Sequence, residues 1–483
     1  MTSKNVFSLK SFLIILVLGF LIIGVCFQWA SQYPYGWTDD DAYFYTQITY
    51  NIATQGISSF DGIHITDGYH LLWAGLLSCV SFIVSLFTLD KSIHLYFQLV
   101  LSMVLLLYIA YRFGRNWVEK IIFFGLAFMG KLLMETPLLV ILYLELIDRH
   151  IRNEKRSLDI IDFLLIFLIP LARIDGSILV LSFSVYYVFK KKWKIFTQMN
   201  GILIAGMCAN FLIFKMIAGH WFSVSSVIKA SEATFGPGML IENLLISGPG
   251  YTFRALMLIF LALISAILLF SNFRSEKNIK LLCVWVGIFG FSFGHLYLSW
   301  LRSWYYVPGH IIFVYLFFRA ASEGNLIQAT LKKLIHGSLI ISVIVYLIYV
   351  SYMGFYYRQD AKQVRTFIHE LNNYVPPGER IFQRDGSGYT GFFAERPIIN
   401  GDGLVNTHEY AQRCIQNNLA GYPDEEKVCY VIHNRPVESD TIDQYYGLVL
   451  LKSDVETVFE KEGNGNYYFS NFVLFKRKTP DCQ

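Results

Sequence analysis

Apolar runs long enough to cross a bilayer alternate with short polar segments, many of them basic, over the first 354 residues and then stop. The first run, residues 11–30, follows Lys4 and Lys10. It is long for a signal sequence and has no small-residue cleavage site, so it predicts an uncleaved span with a cytoplasmic N-terminus. Further runs at residues 70–89, 93–111, 198–218, 253–270, 281–299, 305–320 and 334–354 predict more spans. Basic clusters at 149–156, 190–194, 274–280 and 332–333 belong on the cytoplasmic side. That alternation puts residues 31–69 in an outer loop and everything beyond residue 354 outside.

Two stretches break the simple count. Residues 118–147 hold two short apolar pieces separated by Lys131, Glu135 and Pro137, while Arg112, Arg115 and Lys120 stand where alternation demands an outer loop. Residues 160–172 and 177–189 are again short, joined by Arg173-Ile174-Asp175-Gly176. They predict a hairpin whose tip lies below the outer membrane surface, with the Arg173 and Asp175 charges in a low-dielectric pocket. Partners or a ligand must offset their cost there; a pair that merely holds the turn is the competing reading. The expected total is about 11–13 spans.

Composition agrees with the pattern: of 483 residues, 54% are hydrophobic and 16% charged, and mean hydropathy is +0.44. This is the balance of a polytopic α-helical membrane protein. The net charge of +4 is dispersed in short clusters, which sets aside nucleic acid as a partner. Residues 355–483 are charged and rich in turn signals. A helix over 363–373 and strands over 380–383, 428–432, 447–451 and 467–476 predict a C-terminal extracytoplasmic α/β domain, after a transmembrane module spanning 1–354. Cys414 and Cys429 lie in that domain and are a candidate disulfide pair in an oxidising compartment.

The outer loop carries the most conspicuous chemistry. Asp39, Asp40 and Asp41 are three consecutive acids, and the loop closes on Asp67-Gly68-Tyr69-His70-Leu71-Leu72-Trp73. Adjacent carboxylates at a bilayer surface repel one another and need a cation, a basic partner or a proton to take up. A helix cap is the plainer role for either Asp40 or Asp41. Segment 220–254 carries Ser223, Ser225, Ser226 and Lys229 before a Gly- and Pro-rich stretch suited to a lid. Arg302, Trp304, Tyr305, Tyr306 and His310 stand at a helix entrance, where aromatics ordinarily anchor the interface. Outer-side cations such as Lys229 and Arg302 suit a phosphate. An acidic base plus cations for a leaving phosphate fits sugar transfer from a lipid phosphate, although an ion-coupled transporter also buries such charges.

The order of several motifs resembles the GT-C membrane glycosyltransferases, most closely their arabinofuranosyltransferase-like and mannosyltransferase-like members. These motifs are Asp40-Asp41-Ala42-Tyr43 with Asn51, Asp67 to Trp73, Met134-Glu135-Thr136-Pro137, Arg173 to Gly176, Ser225 to Lys229, and Arg302 before Trp304-Tyr305-Tyr306-Val307-Pro308. In the outer domain, Asp385-Gly386, Arg396-Pro397 and Gly401-Asp402-Gly403-Leu404-Val405-Asn406 extend the likeness over nearly the whole chain. Departures are the extra acid Asp39 and Leu71 where relatives often have Pro. The resemblance implies a polyprenyl-phosphate sugar donor, a glycan, lipid or protein acceptor, surrounding membrane lipids, and inversion at the anomeric carbon. It makes Asp40 the general base with Asp41 in support, and Arg173, Lys229 and Arg302 the donor-phosphate ligands. Glu135, Tyr69, His70, Asp175 and His310 become substrate contacts. A divalent cation is left open, with Asp40 and Asp41 its candidate ligands. Competing expectations are a glycan ligase with a lipid-pyrophosphate donor and a membrane transporter. The expected location is the plasma (inner) membrane.

Overall fold

The computed structural model describes residues 38–152, 157–246, 249–271, 276–298, 302–321, 333–342, 344–345, 348, 358–434, 440–462, 471–479 and 482. The expected first span at 11–30 and part of that at 334–354 lie outside the described residues, as do parts of the clusters at 149–156, 274–280 and 332–333. The described chain is mostly helical, with a sheet confined to its C-terminal part. Against about 11–13 expected spans, four helices among the described residues are long and apolar enough to cross a membrane: Lys91–Phe113, Trp193–Ala218, Gly250–Ser271 and Glu276–Leu296.

The helices in order are α1 (Asp40–Gln55), α2 (Leu71–Ser85), α3 (Lys91–Phe113), α4 (Trp117–Phe128), α5 (Thr136–Arg152), α6 (Ile160–Ala172), α7 (Ser177–Phe189), α8 (Trp193–Ala218), α9 (Val224–Glu232), α10 (Pro249–Ser271), α11 (Glu276–Leu296) and α12 (Tyr306–Ala320). One end of this helical body collects the basic residues with their acids. Arg112 pairs with Glu145 and Asp148, Arg319 with Asp148, Arg115 with Glu119, and Arg149 with Asp159 and Asp162. Arg112 therefore lies beside the start of the 149–162 segment, joined to it through Asp148, while Arg115 bonds the Phe318 carbonyl next to Arg319. The α4–α5 pair is an ascending and descending hairpin whose turn, residues 129–135, points toward the other end. The turn is sharp, with Lys131 and Leu133 in the left-handed region (φ 67° and 66°). Ser102 Oγ accepts from the Leu133 amide at 3.1 Å and the Leu133 carbonyl accepts from Trp73 Nε1 at 2.8 Å, which holds it.

The predicted hairpin at 160–189 is present as α6 and α7, joined by the turn Ile174–Gly176. Asp159 and Asp162 form a capping box that starts α6, and Arg149 clamps both acids. The apolar run at 70–89 behaves differently from a span. His70 begins it beside Glu135, while Leu89 accepts from Tyr50 and Lys91 Nζ donates to the Phe392 carbonyl of the C-terminal region. Both ends of α2 thus face the same end of the body, so this run does not connect its two ends.

The C-terminal region holds α13 (Arg358–Tyr374), β1 (Arg380–Gln383), α14 (Ser387–Phe393), β2 (Ile398–Asn400), α15 (His408–Ile415), β3 (Val428–His433), β4 (Thr441–Tyr445), β5 (Leu448–Leu451), β6 (Val455–Glu462) and β7 (Asn471–Arg477). The main sheet has the order β2-β1-β3-β7-β6; β1 is parallel to β2 and β3, while β7 is antiparallel to β3 and β6. A separate hairpin, β4–β5, stands off this sheet. The disulfide joins Cys429 to Cys482 and not to Cys414, which is free and buried. Successive strand residues face opposite sides: Val428 packs with Cys414, so Cys429 belongs to the other packed cluster.

Candidate functional site

Three adjacent acids on one helix start point three ways. Asp39 is the N-cap of α1, its Oδ1 accepting from the Asp40 amide at 3.0 Å. Asp40 reaches the C-terminal region, accepting from the amides of Gly388 (3.1 Å) and Tyr389 (2.8 Å) at the start of α14. A Cβ on Gly388 would meet the Asp40 carbonyl at 2.3 Å, so only glycine permits this approach. Asp41 faces a cavity together with Tyr45, Tyr69, His70, Glu135, Lys229 and Tyr305. Asp40, expected at its centre, is not among the lining residues.

The cavity is roofed by the C-terminal region through Leu404. A Cβ on Gly68 would come within 1.9 Å of the Leu404 carbonyl, so the Asp67-Gly68 turn and the 401–406 loop close against each other. Asp67, fully buried, accepts from the Val224 amide (2.8 Å) and from His408 Nε2 (3.1 Å). It thereby fixes the first turn of α9, the helix that presents Lys229. The cavity is partly open, and its volume is about 40 Å³.

Beneath it the two hairpin tips meet. Arg173 Nη1 donates to Glu135 at 2.5 Å, while its Nε and Nη2 donate to Asp175 at 3.0 and 2.6 Å. His295 Nε2 lies 3.1 Å from Asp175, and Tyr45 Oη donates to Glu135 at 3.3 Å. The Arg173 guanidinium also rests on the Tyr305 ring, 4.7 Å from its centroid. Every face of Arg173 is committed, so the expected phosphate ligand is a neutralised strut, and Asp175 is its partner away from the cavity wall. This is the self-satisfying pair the sequence left open, extended by Glu135.

Lys229 and Asp41 are the contrast: both line the cavity, and neither has an ion pair among the described residues. Burial raises the Asp41 carboxyl above its usual range, and Lys229 and Arg302 pull it back down. Burial alone would lower the Lys229 ammonium, but Tyr305 and Asp41 raise it. Arg302 is solvent-exposed at the rim, outside the lining set. Tyr69 and His70 line the cavity, Tyr69 hydroxyl bonding to Ser58 Oγ at 2.7 Å. His310 is elsewhere, buried in α12 with Nε2 donating to the Arg254 carbonyl at 2.9 Å.

No family model matches the chain, and no curated protein matches it.

Two contributors escape the sequence reading. Tyr45 lies one helical turn after Asp41, and that i, i+4 spacing was a usable signal. Asp402 sits in the 401–406 loop, where burial pushes its carboxyl up to about 7 with Asp41 adding repulsion. Nothing in the sequence marks its nearness to Asp41. Among the described residues no group of three or more His, Cys, Asp or Glu side chains is arranged to hold a metal ion. Asp40 and Asp41, the candidate cation ligands, turn to different partners.

Proposed function

We propose that the protein is a GT-C-type membrane glycosyltransferase that moves a sugar from a polyprenyl-phosphate donor to a hydroxyl of a glycan, lipid or protein acceptor at the outer membrane face. The observation that carries this reading is Asp41 and Lys229 facing one cavity, neither in an ion pair among the described residues. Charges that face a cavity without direct contact are free to meet a ligand, and a substrate that brings a proton to one and a phosphate to the other would satisfy both. The basic residues gathered at the opposite end suit the cytoplasmic side, and the Cys429–Cys482 disulfide suits an oxidising outer compartment. Both favour a multi-pass protein of the plasma membrane with its C-terminal region outside.

In this mechanism Asp41, not Asp40, is the base. It takes the proton of the acceptor hydroxyl as that oxygen bonds to the anomeric carbon. The bond from that carbon to the phosphate oxygen breaks with its electron pair, and Lys229, helped by Arg302, meets the charge that develops there. One displacement inverts the anomeric configuration. The raised Asp41 carboxyl must be ionised to act, so activity rises with pH through a value above that of an ordinary aspartate.

The deciding assay uses purified full-length protein, a polyprenyl-phosphate sugar and membrane-extracted acceptor. Transfer falls on the order of 10²–10⁴-fold in Asp41→Asn, while Asp40→Asn keeps a larger share. A folded Asp41→Asn protein with wild-type transfer, or a product that retains the donor's configuration, overturns the mechanism.

A further inference from the structure

At the end of the helical body away from Asp41, one group of cations stands outside the ion-pair network. α7 ends at Phe189 and α8 begins at Trp193, and the turn between them is Lys190-Lys191-Lys192, with Lys194 following in α8. Contacts from α7 fix the turn at that end: Tyr187 Oη bonds His150 Nδ1 at 2.6 Å, and Tyr186 and Lys190 both reach Glu276 at the start of α11. The neighbouring Arg112, Arg149 and Arg319 are committed to acids, and buried Lys280 donates to the His150 carbonyl at 3.1 Å. Lys191 and Lys194 are exposed and Lys192 is half-buried, and none of these three forms an ion pair among the described residues.

Two features give the cluster a direction. Lys191 sits in the left-handed region (φ 56°), a conformation that glycine adopts without a Cβ penalty. A lysine there keeps a charge at the tip of the turn at a cost in backbone strain. The lysines are also flanked by exposed aromatics, Phe189 (70%) and Trp193 (58%). Beyond these the exposed face of the two helices is apolar, with Leu181 and Val185 on α7 and Ile204 and Leu212 on α8. α8 is itself long and apolar enough to cross a membrane. Apolar side chains, then aromatics, then cations is the order met on passing from hydrocarbon to the headgroup layer.

Charge selects the occupant of that layer. A zwitterionic headgroup brings no net charge to three lysines, whereas an anionic phospholipid brings a phosphodiester to them and lays its acyl chains on the apolar face above. A small soluble anion would make no use of Phe189 or Trp193. We propose that the α7–α8 turn binds anionic phospholipid headgroups through Lys191, Lys192 and Lys194. The site depends on the membrane setting of α8 and not on the glycosyl-transfer reading.

Native mass spectrometry of the purified full-length protein in detergent tests this, with phosphatidylglycerol and phosphatidylcholine of identical acyl chains supplied in equal amounts. The wild type retains phosphatidylglycerol in preference. Combining Lys191→Gln, Lys192→Gln and Lys194→Gln lowers that preference at least about 5-fold, the factor for one cation at an anionic surface, and leaves phosphatidylcholine adducts unchanged. A control that removes three exposed charges from the C-terminal region, Lys427→Gln, Lys452→Gln and Lys478→Gln, keeps the preference. Equal retention of the two lipids by the wild type, an undiminished preference in the first variant, or an equal loss in the control overturns the proposal. So does displacement of phosphatidylglycerol by inorganic phosphate, which would make the turn a small-anion site.

Discussion

The two ends of the helical body use the same kinds of residue to opposite effect. At the end holding the basic clusters, Asp148 is engaged by Arg112, Arg319 and Tyr315, and Arg149 is clamped by Asp159 and Asp162. At the end covered by the C-terminal region, Glu135, Arg173 and Asp175 are just as tightly paired, but directly above them Asp41 and Lys229 share a cavity with no ion pair among the described residues. Paired charges hold helices in register and leave nothing over for a ligand. Unpaired ones hold little together and are available for chemistry.

The comparison breaks first at Asp148. Asp148→Ala leaves two arginines short of their shared acid, and stability falls by about 3 kcal/mol, the low end for a broken buried pair because both arginines keep some exposure. Thermal unfolding of the detergent-solubilised variant measures it. Transfer per folded molecule is unchanged, since no part of this network touches the cavity.

Next comes the covalent tie. The Cys429–Cys482 bond spans 53 residues, and Cys482→Ser costs about 2–4 kcal/mol, confined to the C-terminal region. Limited proteolysis should show β7 released before any cleavage in the helical body. Equal loss of protection in both parts would mean that the sheet and the helices unfold as one unit.

Lys229→Met inverts the outcome expected of Asp148. Removing an ammonium that forms no ion pair among the described residues, in favour of an apolar chain of similar length, changes stability by less than about 1 kcal/mol. Transfer nevertheless falls on the order of 10²–10³-fold, as for loss of one group that stabilises developing charge. Arg173→Met, by contrast, strands Glu135 and Asp175 and should unfold the site. If Lys229→Met proved as destabilising as Arg173→Met, the distinction between strut and working cation would fail.

Much of this contrast cannot be read from residue types alone. The short pieces at 160–172 and 177–189 were legible because their lengths forbid a full crossing and Arg173 to Gly176 supplies a turn. The run at 70–89 misleads, because hydropathy measures apolar length and is blind to whether a helix returns to the end it left. Three consecutive acids are equivalent in a sequence, but each step along a helix turns the side chain by about 100°. Asp39 therefore caps, Asp40 binds α14 and Asp41 meets the cavity. The sequence marks Arg173, Lys229 and Arg302 as outer-side cations alike, whereas only contacts from 38 residues away show that Arg173 is already spoken for. Cysteine pairing was equally hidden, since strand alternation sends Cys429 away from Cys414.

The smallest expected effect tests the seam between the two parts. Asp402 keeps its proton up to about pH 7 in the folded protein, whereas an exposed aspartate gives it up near 3.8. Between those values the folded state binds a proton that the unfolded state has released. This contribution to stability is complete below about pH 4 and is lost as pH rises through 7. Asp402→Asn cannot ionise, so its unfolding midpoint should lose this part of the slope over pH 4–7 and exceed that of the wild type at pH 8 by a few degrees, at about 2–4 °C per kcal/mol. Ionised Asp41 adds to the repulsion, so in the Asp41→Asn background the gain from Asp402→Asn should shrink. Equal gains in both backgrounds would mean that burial alone raises Asp402 and that the two acids do not communicate across the seam.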